Sequence, residues 1–126
     1  MNHLVLVFVG AGVGGTLRHL VTGAVGRFGP PSSLPLGTFV VNLSGCLAAG
    51  VVAGLLTAAS GVRDEYRALL LVGLLGGYTT FSAFGKETLQ LIESRRIIEA
   101  VLYVTLTNVV GVAAVWTGHR IAAAIS

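Results

Sequence analysis

Two short stretches of the chain hold side chains whose types and spacing could handle a small ion. Residues 76–87, GGYTTFSAFGKE, begin with two glycines directly after the aliphatic run ALLLVGLL and continue with threonines, a serine and aromatic rings. Residues 35–45, PLGTFVVNLSG, place Thr38 and Asn42 four positions apart, hence on one face of a helix. Hydroxyl and amide groups donate hydrogen bonds without carrying a full charge. They suit an anion that must shed water and be rehydrated.

The glycines at the start of the first stretch predict an interruption of a helix. As a regular α-helix, Ala68 to Leu75 would rise by about 12 Å, which puts Gly76 and Gly77 well inside a bilayer. Glycine has low helix propensity, and the hydroxyl residues that follow can cap a new helix. Irregular backbone is tolerated at that depth only when it is buried in protein or lines a cavity. Alternatively, the glycines only let a neighbouring helix approach closely.

Beyond this point, Phe81 and Phe84 are three residues apart and share a helical face. Such a pair commonly serves packing, but the positive edge of a phenyl ring can also face an anion. Lys86 and Glu87 follow one turn later and either line a water-filled mouth or reach the membrane interface.

Polar residues also interrupt the other apolar stretches. Arg18 is the costliest residue of the first stretch; it either snorkels to the interface or attracts anions into an aqueous vestibule. Asn42, and the polar residues Tyr103, Thr107 and Asn108 in the last stretch, could instead join helices through hydrogen bonds. The small-residue pairs Gly10 with Gly14 and Gly50 with Gly54 predict close helix packing.

The composition indicates that these residues are carried by membrane helices. Of the 126 residues, 54% are hydrophobic and only 10% are charged, and the mean hydropathy of +0.87 is typical of a membrane protein. We predict a single all-α domain over residues 1–126, with four membrane-spanning helices at about 3–26, 35–59, 67–92 and 97–123. The first is interpreted as a span and not a signal peptide, since no basic segment precedes it.

Charge and donor types exclude several classes of function. The net charge of +3 is dispersed between apolar blocks, which argues against nucleic-acid binding. The single cysteine, Cys46, cannot form an intramolecular disulfide. The spans offer amides, hydroxyls and ring edges, but the first, second and fourth have no acidic residue in their interior. A permeation pathway is therefore favoured over an enzyme, a metal centre or a proton-coupled cation carrier.

The basic residues of the connections give no clear orientation in the membrane. Arg63, Arg67 and Arg120 lie toward one side, and Arg27 with the pair 95–96 lies toward the other. This balance hints that the chain inserts both ways and pairs with an inverted copy of itself.

The chain resembles the Fluc (CrcB) family of small fluoride channels. The resemblance covers the whole length, through GVGGTLRH, PLGTFVVNLSG, GLLGGYTTFSAFGKE and NVVGVAAVWTG. It implies passive, selective export of fluoride across a bacterial-type inner membrane. It further implies an antiparallel, dual-topology homodimer with two pores, in which the broken third helices meet at the centre.

The same resemblance implies roles for particular residues. Those expected along the fluoride pathway are Phe81, Phe84, Asn42, Thr38, Ser82 and Tyr103, with Arg18 near a vestibule. The backbone carbonyls of Gly76 and Thr79 are expected to bind a structural sodium ion. Many relatives have a hydroxyl residue where this chain has Ala83, so one donor of the polar track is missing.

Two other classes of function stay open from the residues alone. A small multidrug-type proton-coupled carrier is also short and of dual topology, but it needs an acidic residue in its first span, and residues 3–26 contain none. A non-conducting structural subunit would use the glycine pairs only for assembly.

Overall fold

The structure is a computed structural model that describes residues 2–59 and 61–126. The helices, in chain order, are α1 (His3–Phe28), α2 (Leu36–Ala58), α3 (Asp64–Arg67), a π-helical stretch (Ala68–Leu75), α4 (Gly76–Tyr78), α5 (Phe81–Glu93) and α6 (Ile97–Ile125). The segments from Asp64 to Glu93 together form the third span. Among the described residues, four helices are long and apolar enough to cross a membrane, which confirms the predicted four-span, all-α class.

The bounds of the spans differ from the predicted ones by a few residues. Asn2 caps α1 by accepting a hydrogen bond from the backbone N–H of Leu4 at 3.1 Å. The third span begins at Asp64 and not at 67, because Asp64 and Glu65 favour the positive end of a helix dipole. The predicted connection SGVRDEY therefore contributes its last three residues to a helix, and its Ser60 lies outside the described residues.

The interruption of the third span is confirmed, but it falls after the two glycines. Gly76 and Gly77 remain helical within α4, whereas Thr79 has a ψ of 158° and Thr80 has a φ of −149° with a ψ of 119°. The Thr80 hydroxyl then accepts a hydrogen bond from the Ala83 N–H at 3.2 Å and starts α5. The low helix propensity of glycine therefore did not locate the break. The capping residue and its hydrogen-bond partners determine where the next helix begins.

The glycines bring helix backbones into direct contact, as the small-residue pairs predict. A Cβ added at Gly77 would lie 2.6 Å from the carbonyl oxygen of Ala11, so α1 and α4 touch through main chain. Gly14 faces the Leu74 carbonyl and the Tyr78 N–H in the same way. Between α2 and α6, Gly50 lies against the Val115 carbonyl, and Gly118 against the Leu47 carbonyl. The first half of the third span is thereby packed against α1, and α2 against α6.

One cluster of buried side chains lies between α5 and α6. Phe84, Leu91, Ala100 and Tyr103 form one cluster, against which Leu34 and Phe39 pack. This cluster fixes the orientation of α5 after the break, so the residues that follow Thr80 are positioned by packing.

Substituting Gly14 should disrupt the contact between α1 and the third span. In Gly14→Ala the new methyl group would meet the Leu74 carbonyl oxygen and, at 2.7 Å, the Tyr78 nitrogen. Because neither atom can move without shifting a helix, we expect a loss of stability of about 1–3 kcal/mol. Thermal unfolding of the purified protein in detergent measures it.

Gly12→Ala is the matched control on the same helix, since a Cβ there meets nothing within 4 Å. We expect it to unfold at or above the wild-type temperature, because alanine favours a helix over glycine by up to about 1 kcal/mol. Equal losses in both variants would contradict a backbone contact at Gly14.

Candidate functional site

The break in the third span is held by the side chain of Asn42. Its Nδ2 donates to the Thr80 carbonyl oxygen at 2.9 Å, and its Oδ1 accepts from the Thr80 N–H at 2.8 Å. One amide thus satisfies both main-chain groups of a residue that lacks helical partners. Asn42 thus links α2 to the third span, which was the alternative to a pathway role, and its second N–H remains a potential donor.

Three aromatic rings follow one another next to this pair. The ring centroids of Phe81 and Phe84 are 5.5 Å apart, and those of Phe84 and Tyr103 are 5.3 Å apart. Phe84 and Tyr103 are buried, whereas Phe81 is 80% exposed on the surface of the protomer. Packing within one chain therefore accounts for Phe84 but leaves Phe81 without a structural reason in the protomer.

Glu87 joins two of the predicted donors. Its Oε1 accepts from the Thr38 hydroxyl and its Oε2 from the Tyr103 hydroxyl, each at 2.7 Å. Thr38 lies on α2 and Tyr103 on α6, so the carboxyl group links three helices. The role of Glu87 is open from the sequence alone, because the spacing of these three residues in the chain does not indicate that they are in contact.

A polar cavity of about 560 Å³, the vestibule, lies between α1, α2 and α5. Its lining is Gly15, Arg18, His19, Thr22, Thr38, Thr80, Ser82, Ala83, Lys86 and Glu87. Arg18 turns inward, and its Nη1 donates to the Thr79 carbonyl at 3.3 Å, while the hydroxyls of Ser82 and Thr80 are 3.2 Å apart. The basic groups of Arg18 and Lys86 give this cavity a positive character.

A second cavity of about 300 Å³, the groove, lies beside α6. Asn42, Phe81, Phe84, Thr107 and Asn108 contribute to its lining. Thr80 lines both the groove and the vestibule, so both cavities border the helix break. Of the predicted pathway residues, Asn42, Phe81 and Phe84 line the groove, and Thr38 and Ser82 line the vestibule, as does Ala83. Tyr103 lines neither cavity and reaches this region only through Glu87 and Phe84.

The backbone carbonyls of Gly76 and Thr79, which are expected to bind sodium, differ in their hydrogen-bond partners. In an unbroken helix the Thr80 N–H would bond to the carbonyl of Gly76, but here it donates to Asn42. The Gly76 carbonyl is thus released from its usual partner. The Thr79 carbonyl accepts from the guanidinium of Arg18, which brings a positive charge beside the second expected ligand.

Comparison with known proteins identifies the family of the chain. The family model for CrcB-like protein, Camphor Resistance (CrcB), matches residues 5–119. The chain belongs to the CrcB family. This confirms the resemblance on which the expected residue roles depend.

Several curated relatives of this CrcB family member are named fluoride-specific ion channel FluC. One from Flavobacterium psychrophilum is 39% identical over 122 residues, which cover 97% of this chain and 98% of the relative. One from Caulobacter sp. is 44% identical over 124 residues, covering 97% and 95%. One from Methylobacterium sp. is 42% identical over 115 residues, covering 91% of each chain.

A hydrogen bond that sequence analysis missed secures the other end of the break in this CrcB protein. The Tyr78 and Ser44 hydroxyls are 2.8 Å apart, and a Cβ added at Gly45 would lie 3.2 Å from Cδ1 of Tyr78. The absence of a side chain at Gly45 therefore lets the Tyr78 ring lie against α2. The adjacent positions of Ser44 and Gly45 were visible in the sequence, but nothing there indicated their partner.

Removing the carboxyl group of Glu87 should destabilise the protein. In Glu87→Ala, the hydroxyls of Thr38 and Tyr103 lose their acceptor, and both residues are buried. An unsatisfied buried donor costs about 1–3 kcal/mol, so we expect a lower thermal unfolding temperature. Glu93→Ala, at the exposed end of α5, is the control and should unfold like the wild type. Equal unfolding temperatures for both variants would show that the three-helix link does not contribute.

Proposed function

We propose that this CrcB family member is a passive, fluoride-selective channel that exports fluoride from the cytoplasm across a bacterial-type inner membrane. One observation supports it most: uncharged donors and a phenylalanine pair converge on the break held by Asn42 and Thr80, in a chain whose relatives are named fluoride-specific channels. Irregular backbone beside cavities at membrane depth is typical of ion pathways.

The side chains suggest how an anion would move. Arg18 and Lys86 would raise its concentration in the vestibule, since both line that cavity. At the break, the second N–H of Asn42 would donate to it, and the ring edges of Phe81 and Phe84 would face it. Weak and multiple contacts favour both entry and release, whereas a fixed cation at the narrowest point would retain the ion.

The hydroxyls of Thr38 and Tyr103 are engaged by the Glu87 carboxyl group in this structure. A hydroxyl has a single proton to donate, so neither can donate to fluoride while it bonds to Glu87. In our proposal they serve the anion when the Glu87 side chain turns away, and the Ser82 hydroxyl continues the polar lining of the vestibule.

Fluoride efflux from liposomes tests the proposal. Purified protein should release loaded fluoride without a proton gradient. Phe81→Ile should abolish most of that flux, since it removes the ring edge, while leaving the fold intact because the side chain is 80% exposed. Phe8→Ile is the control, since Phe8 is 81% exposed on α1 and lies away from both cavities.

Each result bears on a different function. Unchanged flux in Phe81→Ile would remove this ring from the pathway. Drug-driven proton flux would support the multidrug-type carrier, which is disfavoured because α1 contains no acidic residue. A protein that releases neither fluoride nor protons would be the structural subunit.

The channel is proposed to be an antiparallel homodimer with two pores. Phe81 and Val112 line the groove and are exposed on the protomer, so one chain leaves the groove open on that side, and a second copy would close it. An inverted copy fits the balanced charges of the connections.

Labelling in intact cells tests the two orientations. In a Cys46→Ser background, Ser126→Cys places one thiol at the end of α6. About half of the molecules should react with a membrane-impermeant maleimide if both orientations occur, and all should react after permeabilisation. Complete or absent labelling of intact cells would rule out dual topology.

A structural sodium ion at the centre of the dimer completes the proposal. The freed Gly76 carbonyl would supply one oxygen ligand, and the Thr79 carbonyl a second one when the Arg18 guanidinium turns away from it. A second copy would supply the same pair. When bound, the ion would add positive potential near the anion path. We expect thermal stability of the dimer to be higher in sodium than in N-methylglucamine; equal values would argue against this site.

A further inference from the structure

A third cavity, of about 310 Å³, lies on the surface of α1 near the end of that helix and is called the slot. It is lined by six exposed residues of α1 alone: His19, Leu20, Gly23, Ala24, Arg27 and Phe28. Two small residues form its middle, and a Cβ added at Gly23 would meet nothing within 4 Å. The slot is therefore open toward the surroundings of the protomer.

The contacts of α1 with its neighbours do not use the slot. Gly10 and Gly14 lie against the third span, and Thr22 lies against α2, where its Cγ2 would be 2.8 Å from a Cβ added at Gly37. None of these residues lines the slot, which also shares no residue with the groove beside α6. Its one link to the other cavities is His19, which lines the vestibule as well.

The slot runs from the membrane surface into the hydrocarbon. The 26 residues of α1 rise about 39 Å, more than the roughly 30 Å of hydrocarbon, so Arg27 in the last turn lies at the level of the lipid headgroups. Leu20 comes seven residues earlier, about 10 Å deeper, and is 59% exposed. A basic group at the outer end and apolar surface further in match a phospholipid, whereas a free anion would use only the outer end.

The charge of the slot determines which lipid it suits. The Arg27 guanidinium has no ion-pair partner in the part of the chain that the structure describes, and no acidic residue lines the slot. A basic residue in the last turn stabilises a helix through its dipole, but that role needs only the charge and leaves the N–H groups free. These N–H groups form the fork that binds two oxygens of a phosphate.

We infer that the slot binds an anionic phospholipid. The phosphate accepts hydrogen bonds from Arg27, and one acyl chain lies over Gly23 and Ala24. A lipid with a net negative charge is favoured over a zwitterionic one, because the amine of the latter is repelled by the guanidinium. The inference does not depend on the conduction of fluoride.

Native mass spectrometry measures the lipid that the protein retains. The probe is a mixed micelle of detergent with equal amounts of dioleoylphosphatidylglycerol and dioleoylphosphatidylcholine. The wild type should retain the phosphatidylglycerol in preference. Arg27→Gln should lower this preference about fivefold, the factor that one basic residue contributes at an anionic membrane surface. It should unfold near the wild-type temperature in detergent alone, because no ion pair is lost among the described residues.

Arg95→Gln is the matched control. Arg95 is exposed outside the slot, in the turn before α6, and this turn lies on the same side of the membrane because Arg96 donates to the Ser33 carbonyl. The variant loses the same charge and should keep the wild-type preference. Equal losses in the two variants would mean a diffuse attraction to surface charge and would overturn the inference.

Filling the slot tests the position of the acyl chain. Gly23→Leu should fold, since a Cβ there meets open space, and should retain less of both lipids. Gly26→Leu is its control, because Gly26 is equally open but does not line the slot, and it should retain as much lipid as the wild type. Wild-type retention in Gly23→Leu would remove the chain from the slot. A dimer that dissociates in this variant would make the slot a contact with a second copy, which also overturns the inference.

Competition identifies the source of the phosphate. An excess of inorganic phosphate should leave phosphatidylglycerol bound, because the phosphate ion has no acyl chain to place over Gly23 and Ala24. Full displacement would show a site for a free anion, and a wild type without any preference for phosphatidylglycerol would show no site. Either result would overturn the inference and leave the proposed channel to be decided by fluoride efflux.

Discussion

The structure depends on how a membrane protein satisfies main-chain groups where a helix stops. In hydrocarbon, no water is available to pair with a free N–H or carbonyl, so an interruption needs partners supplied by the protein. Here a single amide, that of Asn42, supplies both partners for Thr80. The Thr80 hydroxyl then caps the next helix, so one residue ends the irregular segment and begins α5. Without Asn42, the extended conformation at Thr79 and Thr80 would leave polar groups unpaired.

This interaction also determines where the cavities form. Two extended residues separate the first half of the third span from the second, and the halves pack against different neighbours. The residues before the break lie against α1 through Gly14 and Gly77, while α5 lies against α6 through Phe84 and Tyr103. The vestibule and the groove both border Thr80. Close main-chain packing on one side and aromatic packing on the other thus leave a cavity on each side of the break.

Much of this could be predicted from the sequence, and the reasons differ between features. The lengths of the apolar stretches predicted four spans, because about 20 apolar residues are needed to cross a bilayer. The glycine pairs gave backbone contacts, because only glycine permits them. The break was predicted at Gly76 and Gly77, three residues before the extended pair Thr79 and Thr80. Helix propensity shows where a helix is weak, but it does not show which side chain will bond to the interrupted backbone. The link from Glu87 to Thr38 and Tyr103 joins three helices, and no local sequence pattern indicates that these residues are in contact.

The short length of α5 has a consequence for biosynthesis. Its 13 residues rise about 20 Å, less than the roughly 30 Å of hydrocarbon, and so cannot cross a bilayer independently. The third span must therefore enter the membrane as one unit of 30 residues. Because chains emerge from the ribosome N-terminus first, α2 is made earlier, and Asn42 precedes Thr80 into the lipid. The side chain that bonds to the break is therefore synthesised before the interrupted third span that requires it.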